Sequence, residues 1–209
     1  MPNSRPLLLA GIAIVAIAVG AFTAQFMHRA PAVIELSSGT LLPSTKELPE
    51  FQLVDNHGQA YTRTQLAGHW SVVFFGFTNC PDVCPTTLST LAQVDKALVD
   101  LPTTQRPQFV FVSVDPKRDT PQQMNNYVSF FNPAFVGLTG EQTQIDLLTK
   151  TMGVPVAIHN QDNGNYSVDH SAVVFLLDPQ ARMAAVFSPP HAAQALVDDV
   201  RKVVQRPTP

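Results

Sequence analysis

With 209 residues, 45% of them hydrophobic and 14% charged, the chain can bury one sizeable core once its N-terminus is set aside. A formal net charge of −3, with Lys and Arg scattered rather than gathered in a stripe, provides no electrostatic footprint for DNA or RNA. Nucleic-acid binding is therefore excluded, and one globular domain is expected.

Arg5 precedes Leu7 to Phe22, a run without a polar side chain, and only Thr23 and Gln25 interrupt it before Met27. Leu7 to Met27 is 21 residues, about 31 Å as a helix, which is enough to span a bilayer core. Residues 1–27 are accordingly expected to form a cytoplasmic tip and a transmembrane helix anchoring the chain. A cleaved signal peptide is the rival, because Val19-Gly20-Ala21 is an acceptable small-residue cleavage site. Either reading exports the remainder and leaves the Arg5 end in the cytoplasm. The N-terminus lacks the Arg- and Ser-rich character of a transit peptide, so the expected location is a bacterial inner membrane, single-pass, with the C-terminal domain in the periplasm. No cysteine closely follows the apolar run, so a lipid-modified N-terminus is not expected. Residues 28–46, with Pro31, Pro43 and Ser-Ser-Gly-Thr at 37–40, read as a tether. The folded domain is expected over 47–205, followed by a frayed Pro-rich tail at 206–209.

Within that domain, Phe51 to Val54, the turn Asp55-Asn56-His57-Gly58, and Ala60 to Arg63 predict a hairpin. Thr64 to Gly68 predicts a short helical turn. Ser71 to Phe77 reads as a buried strand, and Leu88, Leu91, Val94 and Leu98 have the spacing of a helix from Pro85 to Val99. Gln108 to Val114 is a second buried strand. Thr120 with Pro121 makes an N-cap and N1 pair for a helix to Phe131. A further helix is expected over Glu141 to Met152, then strands over Ala172 to Leu177 and Arg182 to Phe187 around Asp178-Pro179-Gln180, and a closing helix from Pro190 to Val204. Strands alternating with helices, ending in a hairpin, predict an α/β fold with a mixed central sheet flanked by helices.

The chain has two cysteines, both in Thr78-Asn79-Cys80-Pro81-Asp82-Val83-Cys84-Pro85 at the junction between that first buried strand and its helix. Backbone N–H groups at a helix start favour negative charge, so thiol pKa values there are expected to fall. Were residues 80–84 helical, the two Cα atoms would share a face roughly 6.2 Å apart, near the upper end of what a disulfide accepts. Pro85 suggests that the regular helix starts there, with a tighter turn before it and closer sulfurs. The pair can close a redox-active disulfide or chelate one metal. Iron–sulfur clusters and structural zinc usually take four ligands, whereas two thiolates and one imidazole make a trigonal site suited to Cu(I). A metal or redox pair on the first helix after a central strand is a thioredoxin-like arrangement.

Six histidines could supply the nitrogen. His28 falls in the tether, His57 in a hairpin turn, His69 at the far end of the motif's strand, His159 before a loop-rich stretch and His191 at a helix start, so each is expected to be an ordinary surface or capping residue. His170, in Asp169-His170-Ser171, lies directly before a late strand. In a thioredoxin-like sheet the loop entering that strand lies beside the first-helix site, where thioredoxins usually carry a cis-proline that this chain lacks.

Three ordered blocks carry a close resemblance to the Sco/SenC family of membrane-anchored, thioredoxin-like copper chaperones of cytochrome c oxidase assembly. They are Phe77 to Pro85, Val114 to Pro121 and Tyr166 to Ala172, and the resemblance spans about residues 47–205. It implies copper, as Cu(I) and in a Cu(II) form, held by Cys80, Cys84 and His170. It further implies a metallochaperone that receives copper from an upstream periplasmic donor and serves the copper A site in subunit II of the oxidase. The alternative is a thiol–disulfide oxidoreductase acting on periplasmic cysteines, those of the oxidase copper site included. Such enzymes typically carry Cys-x-x-Cys and an opposing cis-proline, and this chain has neither. The 115–121 block is expected either to lie beside the site or to cap the next helix. Gln180-Ala181 departs from the glycine that the family often has in its last hairpin.

Overall fold

The computed structural model describes residues 35–160 and 166–206, together with Ala16 and Gly20. Apart from those two residues, the expected anchor at Leu7 to Met27 lies outside the described residues, as does His28. Among the described residues no helix is long and apolar enough to cross a membrane.

The described strands are β1 (Gly39–Glu47), β2 (Gln52–Asp55), β3 (Ala60–Thr62), β4 (Ser71–Gly76), β5 (Gln108–Ser113), β6 (Val136–Thr139), β7 (Val156–Asn160), β8 (Tyr166–His170), β9 (Val174–Leu177) and β10 (Arg182–Phe187). The helices are α1 (Arg63–Leu66), α2 (Val83–Ala97), α3 (Pro121–Phe131), α4 (Gln142–Met152) and α5 (Ala193–Val204). Eight strands form one sheet in the order β1-β10-β9-β4-β5-β6-β2-β3, while β7 and β8 pair with each other as a separate ribbon. Strand β4 runs parallel to β5 and antiparallel to β9, which makes the sheet mixed, as expected.

β4 is buried at every residue. Because strand side chains alternate between faces, Val72 and Phe74 join Phe111, Leu88, Met124 and Leu196 under α2, α3 and α5. Val73 and Phe75 join Val112, Leu66, Ile145 and Leu148 under α1 and α4. A strand covered on both faces reads as a continuous apolar run, as this one does. Its C-terminal end is the one point where the chain leaves the middle of the sheet for α2.

Residues 39–46 are not tether. They form edge strand β1, antiparallel to β10, with the register shifting between Leu41 and Lys46 around Pro43, a residue that only an irregular edge tolerates. Just before it, the N–H groups of Ser37 and Ser38 donate to the Asp199 carboxylate at 2.9 and 2.7 Å, and both hydroxyls donate as well. Asp199 is fully buried on α5, so these four bonds satisfy a carboxylate that has left water. Strands β6, β7 and β8 also lie where the sequence predicted none, and β9 starts at Val174 rather than Ala172. In the last hairpin Ala181 takes φ 56°. This left-handed conformation costs a non-glycine residue about 1–2 kcal/mol, and it falls where the resemblance leads one to expect glycine.

Candidate metal centre

After Gly76 the chain turns through Phe77 to Pro81 into α2. The Cys80 N–H donates to the Phe77 carbonyl (3.2 Å), and the Thr86 N–H to the Asp82 carbonyl (3.1 Å). The helix begins at Val83, not at the predicted Pro85. With Asp82 at the N-cap, Cys84 and Pro85 are the second and third helical residues, whose N–H groups have no intrahelical partner, so Pro85 forfeits no hydrogen bond. Cys84 is completely buried, Cys80 is half-buried, and both are free thiols.

Gly76 determines how closely the sulfur can approach the sheet. A Cβ at that position would stand 2.7 Å from Cys84 Sγ and 2.6 Å from Phe111 Cε2. The turn itself is tied to the loop after β5. Thr78 donates its N–H (3.1 Å) and its hydroxyl (2.6 Å) to Asp119, and the Ser113 hydroxyl donates to the same carboxylate (2.6 Å). Burial pushes the Asp119 carboxyl above its ordinary range, against the hydrogen bonds from Ser113 and Thr78 that favour its charged form. Thr120 meanwhile accepts from the Gln123 N–H and caps α3. The 115–121 block thus has both of its expected roles.

Burial also pushes the Cys84 thiol up, outweighing the backbone hydrogen bond at Phe77, with Cys80 pushing the same way. The lowering expected from a helix start is therefore overturned at Cys84, since a sulfur with no contact to water resists ionisation. In the metal-free protein Cys84 is a thiol.

His170 ends β8, with Nε2 3.3 Å from Cys84 Sγ and Nδ1 3.0 Å from the Ser171 carbonyl. Phe77 and Phe74 meet the imidazole edge-on, with centroids at 5.7 and 6.1 Å. Burial lowers the His170 pKa, opposed by the Ser171 carbonyl, so the ring is neutral at pH 7. A neutral imidazole that donates Nδ1–H to a backbone carbonyl keeps its Nε2 lone pair for the sulfur side, where the Cys84 thiol donates. Metal-ligating histidines are fixed in this way by the proton on their other nitrogen.

The Cys80, Cys84 and His170 ligand atoms all lie within 4.8 Å of one another, the one such cluster among the described residues. The other described histidines stand apart. Exposed His159 pairs with Asp169 at 2.8 Å, His191 Nε2 donates to the Ala172 carbonyl at 2.6 Å, His57 lies 3.5 Å from Asn56, and His69 is on the surface. The roles of Gly76 and of the Thr78–Asp119 tie were missed in the sequence. A glycine closing an apolar strand run is the one local signal that marked Gly76.

Two sulfurs and one imidazole nitrogen converging from two directions form a soft, three-donor set, suited to a monovalent thiophilic ion and, among the described residues, without the fourth ligand of structural zinc. The class so defined is a thioredoxin-like domain with a Cys2His cluster that could hold a metal ion. The family described as SCO1/SenC matches residues 40–205. The SCO2-like protein of Rickettsia prowazekii is 40% identical over 134 residues, covering 63% of this chain and 64% of that one. The structure of Arabidopsis thaliana ScoI with copper bound superposes with a TM-score of 0.70 at 35% identity, covering 75% of this chain and 97% of the other. That of Bradyrhizobium japonicum ScoI with copper bound gives 0.68 at 34%, covering 75% and 99%. The chain belongs to the SCO1/SenC family.

Proposed function

We propose that this protein is a copper metallochaperone that holds one copper ion between Cys80, Cys84 and His170. The observation that carries the reading is the approach of His170 Nε2 to within 3.3 Å of Cys84 Sγ, with Cys80 in the same 4.8 Å cluster. The copper carried by the Arabidopsis and Bradyrhizobium relatives supports the choice of metal. Uptake of Cu(I) requires both thiols to give up their protons, and burial makes this costly at Cys84 unless the ion replaces the proton. Affinity therefore rises with pH. His170, already neutral, binds without losing a proton and adds the nitrogen that Cu(II) favours.

The resemblance extends the proposal. The target is the copper A site in subunit II of cytochrome c oxidase, copper comes from an upstream periplasmic donor, and Leu7 to Met27 anchors the chain in a bacterial inner membrane with this domain in the periplasm. The test is anaerobic titration of the reduced chain with Cu(I). One copper per chain is expected, with none retained after mild oxidation removes about two hydrogens and joins the sulfurs. Retention of copper by the disulfide form would overturn the reading.

A thiol–disulfide oxidoreductase is the second reading, favoured by the exposure of Cys80 beside the buried Cys84, the asymmetry of an attacking and a resolving thiol. It predicts exchange activity that survives His170→Ala largely intact.

A further inference from the structure

His170 reaches the sulfurs on a ribbon that pairs with no strand of the main sheet. Four of the five β7 residues are exposed, and Val168 is the one fully buried residue of β8. A lone two-stranded ribbon is marginally stable in water, so something beyond its own ladder must hold it over the metal centre.

Tyr166, at the opposite end of β8 from His170, supplies the attachment. Its hydroxyl donates to Asp115 Oδ1 at 2.6 Å. Its ring packs on the Arg118 guanidinium, with Cζ 4.0 Å from the centroid, and its carbonyl accepts from Arg118 Nη1 at 3.3 Å. Arg118 Nε donates to Asp115 Oδ2 in a close ion pair. Asp115 is 4% exposed and donates its own N–H to Ser113 Oγ at 3.0 Å, which roots the group at the end of β5. The guanidinium also lies 5.7 Å from the centroid of the Phe77 ring, and Phe77 in turn stands edge-on to His170. Arg118 Nη2 is buried without a hydrogen-bond partner. Contact with two aromatic rings favours the cation.

We propose that Asp115, Arg118 and Tyr166 form a clasp that positions His170, pinning the far end of the ribbon to the main sheet while Phe77 spaces the guanidinium from the imidazole. The inference rests on His170 being the nitrogen ligand of the proposed function, and the three residues act through it without touching the metal. Loosening the clasp leaves the dithiol in place and lets the imidazole swing away.

The test uses the full chain with Arg118→Ala, which removes the stack, and Tyr166→Phe, which removes one hydroxyl and keeps the ring. Two readouts are taken. In the metal-free protein, the His170 ring proton resonances, shifted by Phe74 and Phe77, should move toward those of a free imidazole in Arg118→Ala and part of the way in Tyr166→Phe. Cu(I) affinity should fall on the order of 10-fold in Arg118→Ala, the usual scale for losing a ligand-orienting partner, and should not fall further when the change is made on a His170→Ala background. Equal losses on both backgrounds, or unmoved resonances in both variants, would overturn the clasp. Should Arg118→Ala fail to fold, Tyr166→Phe decides by the same criteria. If His170→Ala itself leaves copper affinity unchanged while the metal-free resonances move as described, the metal reading fails and the clasp stands.

Discussion

Cys80 and Cys84 sit where the central strand of an eight-stranded sheet meets α2, whereas His170 arrives on a two-stranded ribbon outside that sheet. On the sulfur side, Gly76, Phe111 and the Asp119–Thr78 tie leave little room for adjustment. On the nitrogen side, mostly exposed strands meet the core through Val168, Val156 and Tyr166 and through the Tyr166 hydroxyl bond to Asp115. The site therefore combines a dithiol set at the end of the main sheet's central strand with an imidazole carried on a separate ribbon. Damage to the first half should appear in both stability and metal affinity, and damage to the second chiefly in affinity.

The largest effect should come from removing a sulfur. Cys84→Ser replaces a soft donor with a hard one, and its Cu(I) affinity should fall by more than the 10- to 100-fold typical of a lost supporting residue. Competition against a Cu(I) chelator measures this, and a loss below 10-fold would mean that the buried sulfur is not a ligand. Gly76→Ala tests whether the sulfur side is as tightly packed as the distances indicate. Forcing a methyl against Cys84 Sγ and Phe111 should destabilise the fold by about 1–3 kcal/mol. At roughly 2–4 °C per kcal/mol, this lowers the thermal midpoint by several degrees. An unchanged midpoint would show that the strand yields easily.

His170→Ala should lower Cu(I) affinity on the order of 10-fold, or about 1.4 kcal/mol. It should also abolish a stable Cu(II) form while shifting the metal-free melting temperature little. A large loss of stability would place the histidine in the rigid half.

The smallest effect concerns pH. Burial holds the folded His170 pKa below its ordinary 6.5, so between those two values the unfolded chain binds more protons than the folded one. Stability from this group is complete above pH 6.5 and is lost as pH falls through the folded pKa, by no more than about 1.4 kcal/mol per pH unit for one proton. Urea midpoints across that range should decline more steeply for the parent protein than for His170→Ala, and parallel profiles would contradict the burial assigned to the ring.

The two halves also differed in how legible they were in the sequence. The sulfur side is encoded locally: strands β4 and β5 are buried on both faces and read as apolar runs, Thr120-Pro121 marks the start of α3, and the two cysteines announce themselves by position. His170 was legible as a residue through its place before a late strand, but the ribbon that carries it was not. An exposed ladder needs no apolar alternation, and Val156 to Asn160 shows none. Strand β1 was hidden for a related reason. As an edge interrupted by Pro43 it resembles a linker, and the Asp199 bonds that fix its start join residues 161 and 162 positions apart. The pKa of Cys84 was misjudged because helix position is visible in a sequence, whereas complete burial is a property of the assembled core.

Copper-edge X-ray absorption of the reduced chain loaded with one Cu(I) reads the metal's ligands one by one. Two sulfurs and one nitrogen are expected around the copper, with the nitrogen lost in His170→Ala and one sulfur lost in Cys84→Ser. A parent spectrum with sulfur alone, or one left unchanged by His170→Ala, would contradict that ligand set.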